Sequence, residues 1–270
     1  MREPVMPQYC RLCLCWLLIC GAPAWAFAPP KPYPTPAMRP IPPGQYGALV
    51  RLGQKIFNDT PRYAGRYTGN ALSCTNCHLD GGRKPYATPM WGAVGLYPKF
   101  QARSQQTITF DQRLQQCFIS SLHGIEPPLD SQTILALAAY SHFISHGVPT
   151  GVLLPGADLP HLPPTGRAPD PLHGKVLFAS HCAMCHGAHG QGTRNPQTGT
   201  YTFPPLWGIH SFAHGAKLAK VRYAARFIWE NMPYQNGQSL TVQQARDIAA
   251  WVDLQWRPPN PRQGLLGWLP

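Results

Sequence analysis

Near the end of the chain, apolar side chains return every three or four positions: Val242, Ala245, Ile248, Ala249 and Val252. That spacing gathers them on one face and predicts an α-helix over Leu240–Trp256, with Thr241 as its N-cap. Helices are likewise expected over Gln45–Asn58, Leu129–His146 and Leu172–His181. Between them the pattern breaks. Residues 29–43 hold eight prolines and residues 155–171 hold six. Proline fixes φ and lacks an N–H, so these segments read as an extended leader and an interdomain linker. The tail from Arg257 is also proline-rich and is expected to lie over the surface.

At the other end, residues 12–22 form a short apolar run behind Arg2 and Arg11, followed by Ala24-Trp25-Ala26. This is the pattern of a secretory signal peptide over residues 1–26, cut before Phe27. The run is shorter than the ~20 residues a membrane span needs. The mature protein is therefore expected in the periplasm, with no span of its own.

The two halves repeat each other. Pro89-Met90-Trp91-Gly92 returns as Pro205-Leu206-Trp207-Gly208. Leu129, Gln132, Ala138, Ala139 and Tyr140 return as Leu240, Gln243, Ala249, Ala250 and Trp251, at a constant offset of 240 − 129 = 111. A tandem duplication follows. The reading divides the chain into a leader (27–44), an N-terminal unit (45–154), a linker (155–170) and a C-terminal unit (171–270).

Composition adds two constraints. The chain is 44% apolar, enough for a packed core. Its formal charge is 23 − 11 = +12, which favours an anionic partner or substrate. Nucleic acid is not that partner, because no run of Lys and Arg and no recognition motif appears. Removal of residues 1–26 takes Cys10, Cys13, Cys15 and Cys20, leaving Cys74, Cys77, Cys117, Cys182 and Cys185. An odd number in an oxidising compartment cannot all pair as disulfides.

Four of the five form Cys74-Thr-Asn-Cys77-His78 and Cys182-Ala-Met-Cys185-His186. Cys-x-x-Cys-His is the attachment motif of c-type haem: two thiols bond the vinyl groups and the adjacent His supplies the proximal ligand. A zinc site would not need His at the same offset twice. Two covalent haems are expected, with His78 and His186 on the two irons. The fold class expected is all-α, two class I cytochrome c domains in tandem with long Pro-rich loops.

The duplication also points to the distal ligands. Met232 lies 25 residues after Trp207, and Cys117 lies 26 after Trp91, so the two hold equivalent positions. Methionine is a usual sixth ligand that raises the potential, whereas a thiolate should lower it. Lys217 is the rival to Met232, but its counterpart is Gln101, which is no ligand. Met184 lies within its own attachment loop, and Met90 reads as core beside Trp91. His123, His142 and His146 read as surface or capping residues.

On these residues the chain resembles the dihaem thiosulfate dehydrogenases that form tetrathionate. The resemblance rests on Leu72–Gly82, Pro89–Gly92, Asp111–Phe118, Phe203–Gly208 and Asn231-Met232-Pro233, and covers most of the mature chain. It implies that Cys117 is the distal ligand of a catalytic first haem and that the second haem passes electrons onward. By position, Arg103 and Ser121 match substrate-site residues of that family, and Arg113 is a further candidate. Some members carry Lys where this chain has Asn231, which puts a Lys–Met ligand exchange in doubt here. No third haem motif exists, so an external acceptor such as a small cytochrome c is expected. Two alternatives stay open: a dihaem electron carrier without a substrate, and a SoxA-like cytochrome that transfers sulfur.

Overall fold

The computed structural model describes residues 27–102 and 104–259. Six helices carry the architecture: α1 (Gly44–Asn58), α2 (Phe110–Ser120), α3 (Gln132–Ile144), α4 (Pro171–His181), α5 (Val221–Asn231) and α6 (Val242–Asp253). Two small antiparallel hairpins accompany them, β1 (Lys99–Gln101) with β2 (Gln106–Ile108) and β3 (Thr193–Arg194) with β4 (Tyr201–Phe203). The chain folds as two mostly helical units. The hairpins amend the purely helical expectation.

Each unit is built on one helix crossing. In the first, α1 turns Val50, Gly53, Ile56 and Phe57 inward against α3. Gly53 makes the approach possible, since a Cβ there would stand 2.0 Å from the carbonyl oxygen of Ala136. In the second, α4 crosses α6, and a Cβ on Gly174 would stand 1.9 Å from the carbonyl oxygen of Asp247. The two contact points differ by 247 − 136 = 111, the offset of the sequence repeat. The duplication is thus visible as the same crossing, made twice.

The four expected helices are present, each ending within three residues of its predicted bounds. Their caps explain the starts. Ser131 accepts from the N–H of Ile134, Asp170 from Leu172 and His173, and Thr241 from Gln244, whose side chain returns the bond. Two helices, α2 and α5, went unpredicted. A signal for α2 existed in Thr109-x-x-Gln112, which forms a reciprocal capping box.

The proline-rich segments are packed rather than free. In the leader, Tyr33 donates its N–H to Pro155, Arg39 lies over the Phe143 ring, and Phe27 reaches Trp229 with ring centroids 5.4 Å apart. In the linker, Ala157 and Leu159 are buried. At its start the tail departs from the expectation: Arg257 and Pro258 are buried, because the Arg257 guanidinium stacks on Phe212, while residues 260–270 lie outside the described residues. Among the described residues no helix is long and apolar enough to cross a membrane. The expected signal peptide, residues 1–26, lies outside the described residues.

One buried carboxylate ties the linker to the second unit. Asp247, on α6, is 0% exposed. It accepts from Arg167 at 2.6 Å, His173 at 2.8 Å, Gln243 at 2.7 Å and the N–H of Asp170 at 2.8 Å. Burial alone would raise its pKa, but the hydrogen bonds from His173, Asp170, Gln243 and Arg167 outweigh that and hold it below the ordinary range. A depressed carboxyl stabilises the fold fully above the unfolded value of ~3.9 and ceases to as pH falls through its folded value. Asp247→Ala is therefore expected to cost roughly 3 kcal/mol at neutral pH and to flatten acid unfolding below pH ~4. Urea titrations of both proteins at neutral pH and near pH 3 check this; equal stabilities at neutral pH would refute it.

Candidate active site

The two Cys-x-x-Cys-His motifs fold alike. In each, the His N–H bonds the carbonyl of the first Cys, at 3.0 Å for His78 to Cys74 and 2.9 Å for His186 to Cys182. One helical turn therefore separates the first thiol from the imidazole and sets both on one side. Each imidazole is then fixed from behind. His78 Nδ1 lies 2.7 Å from the carbonyl oxygen of Thr88, and His186 Nδ1 lies 2.8 Å from that of Pro204. A carbonyl can only accept, so Nδ1 carries the proton and Nε2 keeps its lone pair for a metal. Thr88 and Pro204 each directly precede a Pro-x-Trp-Gly motif, which explains why that motif occurs twice. Burial pushes both histidines below the ordinary imidazole range, keeping them neutral as ligands must be.

Around the first motif lies an apolar cavity lined by Cys74, Cys77, His78, Met90, Cys117, Ser121 and Phe212 among others. Burial pushes the Cys74 thiol up to about 12 and Cys77 to about 11. Two neutral thiols set in an apolar wall beside an imidazole suit thioether attachment of a haem. The cavity's apolar lining, its paired thiols and the free Nε2 of His78 fit a covalently held haem.

Cys117 enters this cavity from α2. Arg113 lies one turn earlier on that helix, and the charge of the Cys117 sulfur raises its guanidinium above the ordinary range. Arg113 donates to Gln116 at 3.4 Å, and Gln116 exchanges bonds with Gln101 at 3.1 and 3.3 Å. Tyr97 also bonds Arg113. A sulfur that needs stabilising as an anion thus has a fixed cation beside it. Ser121 lines the same cavity at the end of α2, its carbonyl held by Asn70 at 3.1 Å. Asn70 also binds the Ser211 carbonyl at 3.0 Å, joining the two units at the site. Sequence reading had no signal for Asn70 or Phe212, since both act across long separations. Arg103 lies outside the described residues.

The second set is gathered less completely. Cys182, Trp207 and Ile228 pack against the core of Leu177, Phe178, Leu240, Ile248 and Val252. Met232 follows Ile228 by one turn but packs with Leu79, Ala87, Leu159 and Phe227. Asn231, just before it, is buried and donates to the Tyr86 carbonyl of the first unit at 3.2 Å. Lys217 is engaged elsewhere, its ammonium 2.6 Å from Asp158. Met184 is 92% exposed, and Met90 is core, as expected.

Residues 62–150 match the family described as SoxA/TsdA, cytochrome c domain, and residues 172–256 match the cytochrome c family. Thiosulfate dehydrogenase from Thiomonas intermedia is 43% identical over 82% of this chain and 70% of its own length. The enzyme of that name from Allochromatium vinosum is 39% identical over 90% of this chain and 91% of its own. The chain belongs to the thiosulfate dehydrogenase family. It is a haem enzyme with two covalently bound c-type haems, one per domain. Among solved structures, thiosulfate dehydrogenase (TsdBA) from Marichromatium purpuratum superposes with a TM-score of 0.81 at 37% identity. The match covers 84% of this chain and spans half the length of that one.

Proposed function

We propose that this member of the thiosulfate dehydrogenase family joins two thiosulfates into tetrathionate at its first haem and hands the electrons through the second to a small cytochrome c. The observation that carries this reading is Cys117, set in one cavity with Cys74, Cys77 and His78 and backed by Arg113. When bound, the two haems supply two one-electron acceptors, matching the two electrons that the sulfur–sulfur bond releases.

The chain's own residues do the rest. His78, anchored by Thr88, and Cys117 would be the chain's ligands to the first iron. Arg113 offsets negative charge at the sulfur and at the incoming dianions, whose mutual repulsion would otherwise slow their meeting. Ser121, and Arg103 by family resemblance, bind substrate oxygens. Cys117 carries the sulfur chemistry: its sulfur bonds the terminal sulfur of one thiosulfate as two electrons leave. The second thiosulfate attacks that sulfur, releasing tetrathionate and restoring the Cys117 thiolate. An electron carrier without a substrate would gain little from such a ligand.

The test is thiosulfate-dependent reduction of ferricyanide or cytochrome c by purified protein with both haems loaded. Turnover with thiosulfate as sole donor is expected, and its absence would refute the reading. In electron paramagnetic resonance, one iron should give low-spin His/thiolate signals and the other His/Met; a spectrum without the thiolate species removes Cys117 as ligand.

Met232→Ala separates the two haems. Both should stay attached, the second potential should fall with loss of the thioether, and electron delivery should slow. A second-haem spectrum that responds to Lys217→Ala and not to Met232→Ala would overturn the assignment.

A further inference from the structure

Leu172 and Val176 stand one turn apart on α4 and are 75% and 66% exposed. Met184, on the attachment turn that follows directly on α4, is 92% exposed. Apolar side chains scattered singly over a surface need no explanation. These three differ, because the duplication supplies an internal control. Gly53 and Gly174 play the same part in the two helix crossings, which sets α1 against α4 at an offset of 174 − 53 = 121. Ile56 and Phe57 then match Leu177 and Phe178, and all four are buried. The counterparts of Leu172 and Val176 are Arg51 and Lys55, which are exposed as well. Met184 matches Asn76, whose side chain turns back to accept from the N–H of Ser73 at 2.8 Å. The first domain thus carries polar groups at all three places. The fold does not require apolar ones there, and apolar groups left in water stabilise nothing. A surface built for another molecule does require them.

Charge and place say what that molecule is. Residues 171–229 carry six Lys or Arg and neither Asp nor Glu. Lys175, next to Val176, is held with its ammonium 5.4 Å from the centroid of the Trp251 ring. Asp170, just outside this stretch, is engaged as the cap of α4, accepting from Leu172 and His173. An apolar centre in a cationic surround fits a partner with an apolar centre and an acidic rim. A second copy of this chain would instead bring like charges together. Met184 also lies between Cys182 and Cys185, the thiols that carry the second haem, and both are only half-buried. A protein seated on Met184 is one side chain from the edge of that macrocycle, where electrons leave the chain.

We propose that Leu172, Val176 and Met184 form the docking surface for the electron acceptor, a small redox protein with an acidic rim around an apolar centre. Methionine suits the middle of such a contact, since its unbranched side chain adapts to the surface it meets. The proposal rests on the electron-export half of the function proposed above and is independent of the sulfur chemistry.

The test uses the full chain with both haems confirmed by mass. The acceptors are a small c-type cytochrome of net negative charge and ferricyanide, which has no docking face. Val176→Glu and Met184→Glu should each raise the KM for the cytochrome about tenfold, because an anion then faces the acidic rim. Calorimetric titration of the two oxidised proteins, with no thiosulfate present, should show the same loss of affinity. Added salt should weaken the wild-type contact. The KM for thiosulfate and turnover with ferricyanide should stay within about twofold. Unchanged KM and affinity for the cytochrome in Val176→Glu would overturn the proposal, and that variant decides alone should Met184→Glu hinder haem attachment. Wild-type turnover with ferricyanide and none with the cytochrome would overturn it too. Absence of turnover with both acceptors would refute the sulfur reaction, and the titration of the oxidised proteins would still decide the surface. Binding to anionic lipid vesicles, or a dimer, that Val176→Glu abolishes while affinity for the cytochrome is unmoved would reassign this face and refute the proposal.

Discussion

Cys117→Gly keeps both haems and loses thiosulfate oxidation by roughly a thousandfold or more, the scale expected when a group acting in the chemical step is removed. The haems stay because their thioether bonds depend only on Cys74, Cys77, Cys182 and Cys185. The first iron then takes water or another weak ligand and its potential rises. Glycine inside α2 adds a helix penalty of ~1 kcal/mol, so Cys117→Ala serves as the matched control and should be equally inactive. Steady-state assays with ferricyanide as acceptor check the result. Wild-type activity in either variant would end the catalytic reading of Cys117.

The second large effect concerns the helix crossing. Gly174→Val drives a branched side chain into the backbone at Asp247, where even a Cβ would stand 1.9 Å from the carbonyl oxygen. A flexible side chain could swing away; a helix backbone cannot. Overpacking of this kind costs ~1–3 kcal/mol, and the rigid neighbour places this case at or above the upper end. For a domain this small, roughly 3 kcal/mol lowers the melting temperature by more than ~10 °C. Gly53→Val should do the same to the first domain, against Ala136. Thermal melts followed by far-ultraviolet circular dichroism measure both. Melting unchanged in either variant would mean that the crossing is not what holds that domain.

These two glycines also show where sequence reading stopped. They play one role, yet they lie 174 − 53 = 121 positions apart while the haem motifs lie 108 apart. The difference, 121 − 108 = 13, is an insertion between α1 and Cys74 that hides the equivalence. Long periodic helices and covalent motifs were legible because their signals are local and redundant. The face of α2 that packs inward, Phe110, Leu114 and Phe118, spans only three turns amid glutamines, so its period was too brief to stand out. The three-residue strands of the first hairpin are largely exposed and carry no alternation to read. Arg257 was misplaced for a different reason. Proline content describes the backbone of a tail, whereas its burial is decided by Phe212, 45 positions upstream. The site was half legible: thiols, histidines and Cys117 follow from spacing, while Asn70, Gln101 and Gln116 serve it through contacts made only in the folded chain.

The leader has a consequence for the order of events during biosynthesis. Phe27 belongs to its first residues, but the ring it meets, Trp229, lies in α5 of the second domain. About two hundred residues must leave the ribosome between the two, and long closures of this kind form late. This early-made segment is thus the last to be fastened. It also touches Pro155 in the linker and Phe143 in the first domain on the way. A chain interrupted before α5 can complete its first helix crossing but cannot buckle the leader. The docked leader accordingly reports that both halves have been made and folded.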